Sequence, residues 1–251
     1  MSRVKDILRT ALRAAGFRIS RWRPASRYQA MDETLLLMRS LGFNPRVVID
    51  AGANHGSWTM MAKAIFPQAQ VHMVEPQPTC APTLRALCDA DAGLAFHSYA
   101  LTTPGVESVR MIGGGEDGGG TGAWVTEPWE DAPGEVICPA TTLDDLLADR
   151  VSRADRPLLK LDLEGHEIPA LEGASTLLGN VEAVLTEVQF FQNNGNGRPV
   201  FADILNFMRE RGFELYDIAC LSQRPRDMRL RMGDVVFVRG NSELMRDTAW
   251  D

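Results

Sequence analysis

Residues 47–58 read VVIDAGANHGSW, and this stretch decides the fold. Val47, Val48 and Ile49 are apolar and β-branched, a run too brief for a helix and suited to a parallel strand buried on both faces. Asp50 ends the run. Gly52 lets the main chain turn sharply and come close to a ligand, and Gly56 would do the same where the next helix begins. A strand that bends through glycine into a helix presents the unpaired N–H groups of the helix N-terminus to a polar molecule.

The stretch gains meaning from VHMVEP at 71–76, where Glu75 closes the next strand 23 positions after Gly52. A carboxylate there accepts hydrogen bonds from both hydroxyls of a ribose; the bland alternative is a solvated strand-end acid. Together the two segments read as an adenosine site. A dinucleotide loop would carry a second glycine where Asn54 stands. The residues four after Tyr28, Tyr99 and Tyr216 are Asp32, Thr103 and Cys220, so the Tyr-xxx-Lys pair of hydride-transfer enzymes is missing. None of Lys5, Lys63 and Lys160 follows a glycine, which removes a phosphate-binding loop, and neither HExxH nor GxSxG occurs. An adenosyl cofactor without phosphates survives.

Outward from this core, strands and helices alternate. Residues 27–41 read as a helix with Met31, Leu35, Met38 and Leu41 on one stripe and Gly42 as its stop. Strands are expected at 47–49, 71–74, 94–101, 158–163, 181–188, 213–217 and 234–238, and helices at 57–66, 78–89, 142–148, 168–178 and 201–211. That rhythm predicts an α/β fold, a Rossmann-like seven-stranded doubly wound sheet with right-handed crossovers. Residues 106–140 break it with short alternating stretches around a tract at 113–122 that holds seven glycines. They read as an antiparallel insertion, either a plain hairpin loop or a lid over the site. The domain plan is an N-terminal helical extension at 1–44, a main domain at 45–240 and a tail at 241–251.

Residues 1–27 carry eight Arg or Lys against Asp6, a net +7, so the remainder carries −14 of the total −7. A body that acidic argues against nucleic acid as a partner. In the basic segment Val4, Ile7, Leu8, Leu12 and Ala15 fall on one helical face. Three readings stay open: a helix docked on the domain or on a second copy in a homo-oligomer, a weak membrane-surface contact, or an organelle-targeting segment. No apolar run approaches the roughly 20 residues of a membrane span. Cys80, Cys88, Cys138 and Cys220 form no CxxC pair, and reduced thiols in a cytoplasmic protein are expected.

VIDAGANHG at 48–56, VEPQP at 74–78, TTLDDLL at 141–147 and above all LLKLDLEGHEIPALEGA at 158–174 resemble the FkbM-type methyltransferases, within the class I methyltransferase fold. The resemblance covers about residues 45–240 and implies methyl transfer from S-adenosylmethionine, usually to a hydroxyl of a sugar or other natural-product-like small molecule. It implies that Asp50, Gly52 and Asn54 face the methionine moiety, that Glu75 binds the ribose, and that Ala100 and Leu101 lie near the adenine. It places Asp162 where sulfonium and acceptor meet. The glycine tract departs from the family pattern.

Within DLEGHE, alternation sends Asp162 and Glu164 to one side, and Gly165 permits a turn that presents His166. An unperturbed imidazole titrates near neutral pH, which makes His166 the first candidate for general base, with Asp162 and Glu164 as its catalytic companions. The alternative is that His166 caps or packs the following helix. A second arrangement holds Mg²⁺ between Asp162, Glu164 and Glu187 to lower the pKa of the acceptor hydroxyl. Otherwise Glu187 and Gln189 hydrogen-bond a polyhydroxylated substrate, or see only water. The expected function is O-methyl transfer to a small molecule; the rivals are a nucleotide-cofactor oxidoreductase or epimerase on a similar sheet, and a non-catalytic cofactor-binding relative.

Overall fold

The apolar run at 47–49 becomes the middle of the main sheet. A computed structural model describes residues 27–112, 123–126, 135–192 and 197–249. The basic segment 1–26 and the glycine tract 113–122 lie outside the described residues. The first half comprises α1 (Arg27–Ser40), β1 (Val47–Ala51), α2 (Ser57–Ile65), β2 (Gln70–Val74), α3 (Ala81–Ala90) and β3 (Leu94–His97). The insertion comprises β4 (Ala100–Leu101), β5 (Ser108–Ile112), β6 (Trp124–Val125) and β7 (Glu135–Thr141). The second half comprises α4 (Leu143–Leu147), β8 (Leu158–Leu161), α5 (Glu167–Glu172), β9 (Ala183–Gln189), α6 (Phe201–Glu210), β10 (Phe213–Gln223) and β11 (Leu230–Arg239).

The main sheet has seven strands in the order β10-β11-β9-β8-β1-β2-β3. Parallel pairing joins β1 to β2 and β8, β2 to β3, and β8 to β9, while β11 runs against both β9 and β10. This is a Rossmann-like α/β sheet. Its order turns between β1 and β8, so the chain leaves these two neighbouring strands in opposite directions and opens a crevice at their carboxyl ends.

Each face of the sheet carries its own core. Met31, Leu35, Met38, Trp58, Ala62 and Leu84 from α1, α2 and α3 pack with Val48, Leu158 and Leu185 on one side. Leu143, Leu147, Leu171, Ile204 and Met208 pack with Ile49, Leu159, Leu161 and Val184 on the other. Leu41 departs from the expected stripe: α1 stops at Ser40, and Leu41 turns outward while Phe43 fills the core.

Three elements differ from the sequence reading. The strand expected at 94–101 is two: β3 stays in the main sheet, whereas β4 leaves it and pairs in parallel with Ala140–Thr141 of a second sheet ordered β4-β7-β5-β6. The helix expected at 168–178 breaks after α5 at Gly173, where a Cβ would overlap the Thr102 carbonyl oxygen. The strand expected at 213–217 runs to Gln223 and forms a bulged antiparallel pair with β11. Its alternating polar residues reflect a partly exposed edge, which masks a strand when buried runs are sought. Among the described residues no helix is long and apolar enough to cross a membrane.

Candidate active site

A cleft opens at the carboxyl ends of β1, β2 and β8. The β1 end contributes a turn in which Gly52, Asn54 and Gly56 all adopt positive φ. The Gly52 N–H donates to the Val74 carbonyl at 2.9 Å, tying the turn to β2.

Glu75 joins the same two strands. One carboxylate oxygen accepts the Asn54 N–H at 2.8 Å and the other accepts the Gln77 N–H at 3.0 Å. The group is buried, and desolvation raises its pKa against the lowering effect of those hydrogen bonds. Two cleft-lining residues hold buried polar atoms that lack hydrogen-bond partners among the described residues, the Gln77 Oε1 acceptor and the Trp58 Nε1 donor. Unmet groups of this kind suit a polar ligand. An adenosyl cofactor brings ribose hydroxyls as donors and acceptors as well, so the donor set fits it.

On the facing wall, the Asp162 N–H donates to the Ala51 carbonyl at 3.1 Å, and the Asp162 side chain is 23% exposed. Glu164 follows at φ +53°, and its carbonyl accepts from Arg198 Nη1 at 2.7 Å. Gly165 is required beside it, because at φ +97° a Cβ would stand 2.5 Å from the Arg198 Cδ. The resulting turn carries His166 into the cleft, its Nε2 3.2 Å from Thr102 Oγ1. Burial and then the Arg198 charge push the His166 pKa down to about 4. The premise of an unperturbed imidazole is therefore corrected: the ring is neutral at neutral pH and weakly basic.

Of the expected site residues, Gly52, Asn54, Glu75, Ala100, Leu101, Asp162, Glu164 and His166 all line the cleft. Asp50 does not. It is fully buried beneath the turn, accepting Thr59 Oγ1 at 2.6 Å and Lys160 Nζ at 2.9 Å. Gly56 also faces away from the cleft, against α3, where a Cβ would stand 2.5 Å from Leu87 Cδ1. Glu187 and Gln189 lie on β9, one strand beyond β8, and neither lines the cleft. Glu187 is buried opposite Asp234 of β11 rather than facing water. The Mg²⁺ arrangement is corrected accordingly: Asp162, Glu164 and Glu187 do not converge, and no group of three such ligands forms among the described residues.

Lys160 and Glu167 went unread in the sequence. Lys160 is buried on β8 and its Nζ donates to Asp50 and, at 2.8 Å, to the Gly52 carbonyl. The signal was present: a lone cation two positions before Asp162 in a strand otherwise apolar. Glu167 is buried behind the turn, and its Oε1 accepts the N–H groups of Leu163 at 2.9 Å and Gly165 at 3.3 Å. Nothing local in the sequence separates it from an ordinary first-turn helix acid.

With this geometry in place, the match between the chain and known proteins gains a structural footing. Residues 50–215 match the methyltransferase FkbM domain. The chain belongs to the FkbM methyltransferase family. Its fold is that of the class I methyltransferases, with β11 as the reversed strand. No curated protein matches the sequence significantly. Among solved structures, a methyltransferase FkbM from Methylobacillus flagellatus KT is 16% identical, with 76% of this chain and 43% of that chain covered and a TM-score of 0.47. An O-methyltransferase family protein from Burkholderia thailandensis is 13% identical, with 95% and 60% covered and a TM-score of 0.48. The magnesium protoporphyrin IX methyltransferase from Synechocystis PCC 6803, solved with bound S-adenosylmethionine, is 15% identical, with 94% and 96% covered and a TM-score of 0.46. The chain thus spans less than two thirds of the length of the first two.

Proposed function

We propose that this protein transfers a methyl group from S-adenosylmethionine to a hydroxyl of a small molecule, a sugar, glycan or natural-product intermediate. The observation that carries the reading is the link from the glycine turn to Glu75, made by the Asn54 N–H across the mouth of a cleft whose other wall is Asp162. Glu75, with Gln77 beside it, takes the ribose hydroxyls, and Ala100 and Leu101 form the apolar floor for the adenine. When bound, the cofactor supplies a methyl group already activated for displacement by its sulfonium.

What the chain must add is alignment, exclusion of water and an outlet for the acceptor proton. Met111, Ala123 and Val125 of the insertion line the cleft and close it with apolar surface. His166 lies on the acceptor side, neutral and hydrogen-bonded to Thr102. A neutral ring accepts a hydrogen bond from the acceptor hydroxyl and so orients an oxygen lone pair toward the methyl carbon. The hydroxyl proton becomes strongly acidic as the new O–C bond forms, so a weak base is sufficient to receive it late in the step.

Isothermal titration with S-adenosylmethionine and S-adenosylhomocysteine, alongside a nicotinamide dinucleotide, tests the cofactor. Binding of both adenosyl compounds and not of the dinucleotide is expected; the reverse pattern replaces the reading with hydride chemistry. Labelled methyl transfer onto sugar, glycolipid and polyketide fractions then identifies the acceptor.

A further inference from the structure

A second cavity lies at the far end of the sheet from the cleft, where β8 and β9 begin and β11 ends. Arg153 and Arg156 on the approach to β8 and Arg239 at the last position of β11 line it, against the acids Glu182 and Glu243. The chain beyond residue 27 is strongly acidic, so three guanidinium groups gathered in one concavity run against the charge of the body.

Both acids are already engaged. Glu182 takes the Arg156 guanidinium in a two-pronged pair at 2.7 and 2.9 Å and also accepts Ser242 Oγ at 2.7 Å, while Glu243 pairs with Arg246 at 3.2 Å. Arg153 and Arg239 are left with neutral acceptors. Arg153 Nη2 donates to Asn241 Oδ1 at 2.9 Å; Arg239 donates from Nε to the Val181 carbonyl at 3.0 Å and from Nη2 to the Leu178 carbonyl. Among the described residues neither arginine has a carboxylate at ion-pair distance. The two carbonyls and the Phe213 ring, whose centre lies 4.5 Å from the guanidinium carbon, hold Arg239 in place, so presenting its remaining N–H groups to a ligand costs little further ordering. Burial and then the Arg153 charge lower the Arg239 pKa, as expected of two guanidinium groups that repel each other across a half-buried space.

We propose that this cavity binds a phosphate group, seated between the guanidinium groups of Arg153 and Arg239, with Arg156 locked on Glu182 as its wall. Guanidinium groups hold phosphate oxygens through charge-assisted N–H bonds, and two uncompensated cations match the charge of about −1.5 to −2 that a phosphomonoester carries at neutral pH. The group is either inorganic phosphate or the phosphomonoester end of a small metabolite. The site lies apart from the cofactor cleft, so the inference stands independently of the methyl-transfer reading.

The test titrates the full chain, labelled with nitrogen-15, with inorganic phosphate and with glycerol phosphate, against acetate and sodium chloride at matched ionic strength. Both phosphates are expected to shift the backbone amides of residues 180–182 and 239–243 saturably, with half-saturation at about 1 mM or below for two charge-assisted contacts. Tighter binding of glycerol phosphate assigns the site to a metabolite's phosphomonoester; equal or tighter binding of inorganic phosphate assigns it to the free ion. Arg153→Gln and Arg239→Gln should each weaken the binding at least about tenfold. Arg239→Gln strips the Leu178 and Val181 carbonyls of their donor and risks the fold, so Arg153→Gln, at an exposed position, carries the result if the other variant fails to melt cooperatively. Shifts that fail to saturate, that acetate or chloride reproduces, or that persist undiminished in Arg153→Gln overturn the inference.

Discussion

Gly52 and Asp162 meet through main chain alone: the Asp162 carbonyl oxygen occupies the space that a Cβ on Gly52 would fill, and Gly52 sits at φ +79°. The glycine is required by the protein's own backbone, where the sequence suggested closeness to a ligand. Gly52→Ala therefore combines left-handed strain with overpacking and is expected to cost roughly 2–4 kcal/mol. Chemical denaturation measures it. A change under about 0.5 kcal/mol would mean that the two strand ends are free to part.

Both Glu75 oxygens accept backbone N–H groups, from Asn54 and Gln77. Glu75→Gln would turn an amide NH₂ toward one of those donors, so the change is not conservative. Affinity for S-adenosylhomocysteine is expected to fall by at least about tenfold, with adenosine affected alike because the damage sits at the ribose. Parallel titrations with the two ligands check this; unchanged affinities would remove Glu75 from the cofactor site.

The main sheet was legible because its strands are buried on both faces and so appear as continuous apolar runs, as in Val47–Ala51 and Leu158–Leu161. The departure of β4 was hidden because Ala100–Leu101 pairs with residues 40 positions later, a long-range choice with no local mark. The same division holds at the site. Gly52, Glu75 and Asp162 carry signals in residue type and position, at the ends of recognisable strands. Trp58 looks like any apolar helix residue until its indole nitrogen is found without a partner among the described residues. Glu187 shows the converse case: its acid late in an apolar run resembles Glu75, yet β9 lies one strand beyond β8 and Glu187 does not line the cleft.

His72 and His97 stack with their ring nitrogens 3.0 Å apart, and burial lowers both pKa values, that of His72 to about 4. His166 is also held at about 4. The unfolded chain takes up these protons near 6.5 and the native chain only at lower pH, so their contribution is intact above pH 6.5 and is lost as pH falls through about 4. Thermal melts from pH 7.5 down to 4 should show a steady decline that is shallower in His72→Asn, which retains a polar partner for His97. An equally steep decline in the variant would assign the acid sensitivity elsewhere.

Glu167 works in the opposite direction. Burial, helped by the Asp162 charge and only partly offset by the Leu163 and Gly165 N–H groups, raises its pKa from 4.5 to about 7. A folded-state value above the unfolded one means that its contribution is fully present below about pH 4.5 and fades as pH rises through about 7. Glu167→Gln keeps an amide oxygen for the two N–H donors and removes the buried charge. The variant is expected to be more stable than wild type at pH 8 by on the order of 3 kcal/mol, with the gap closing toward pH 4.5. Since Glu167 braces the turn that carries Glu164 and His166, the pH near 7 at which the gap levels off should coincide with a change in the wild-type amide exchange of residues 163–166. A variant less stable than wild type at pH 8 would show that the ionised carboxylate holds the turn by stronger hydrogen bonds than its desolvation costs.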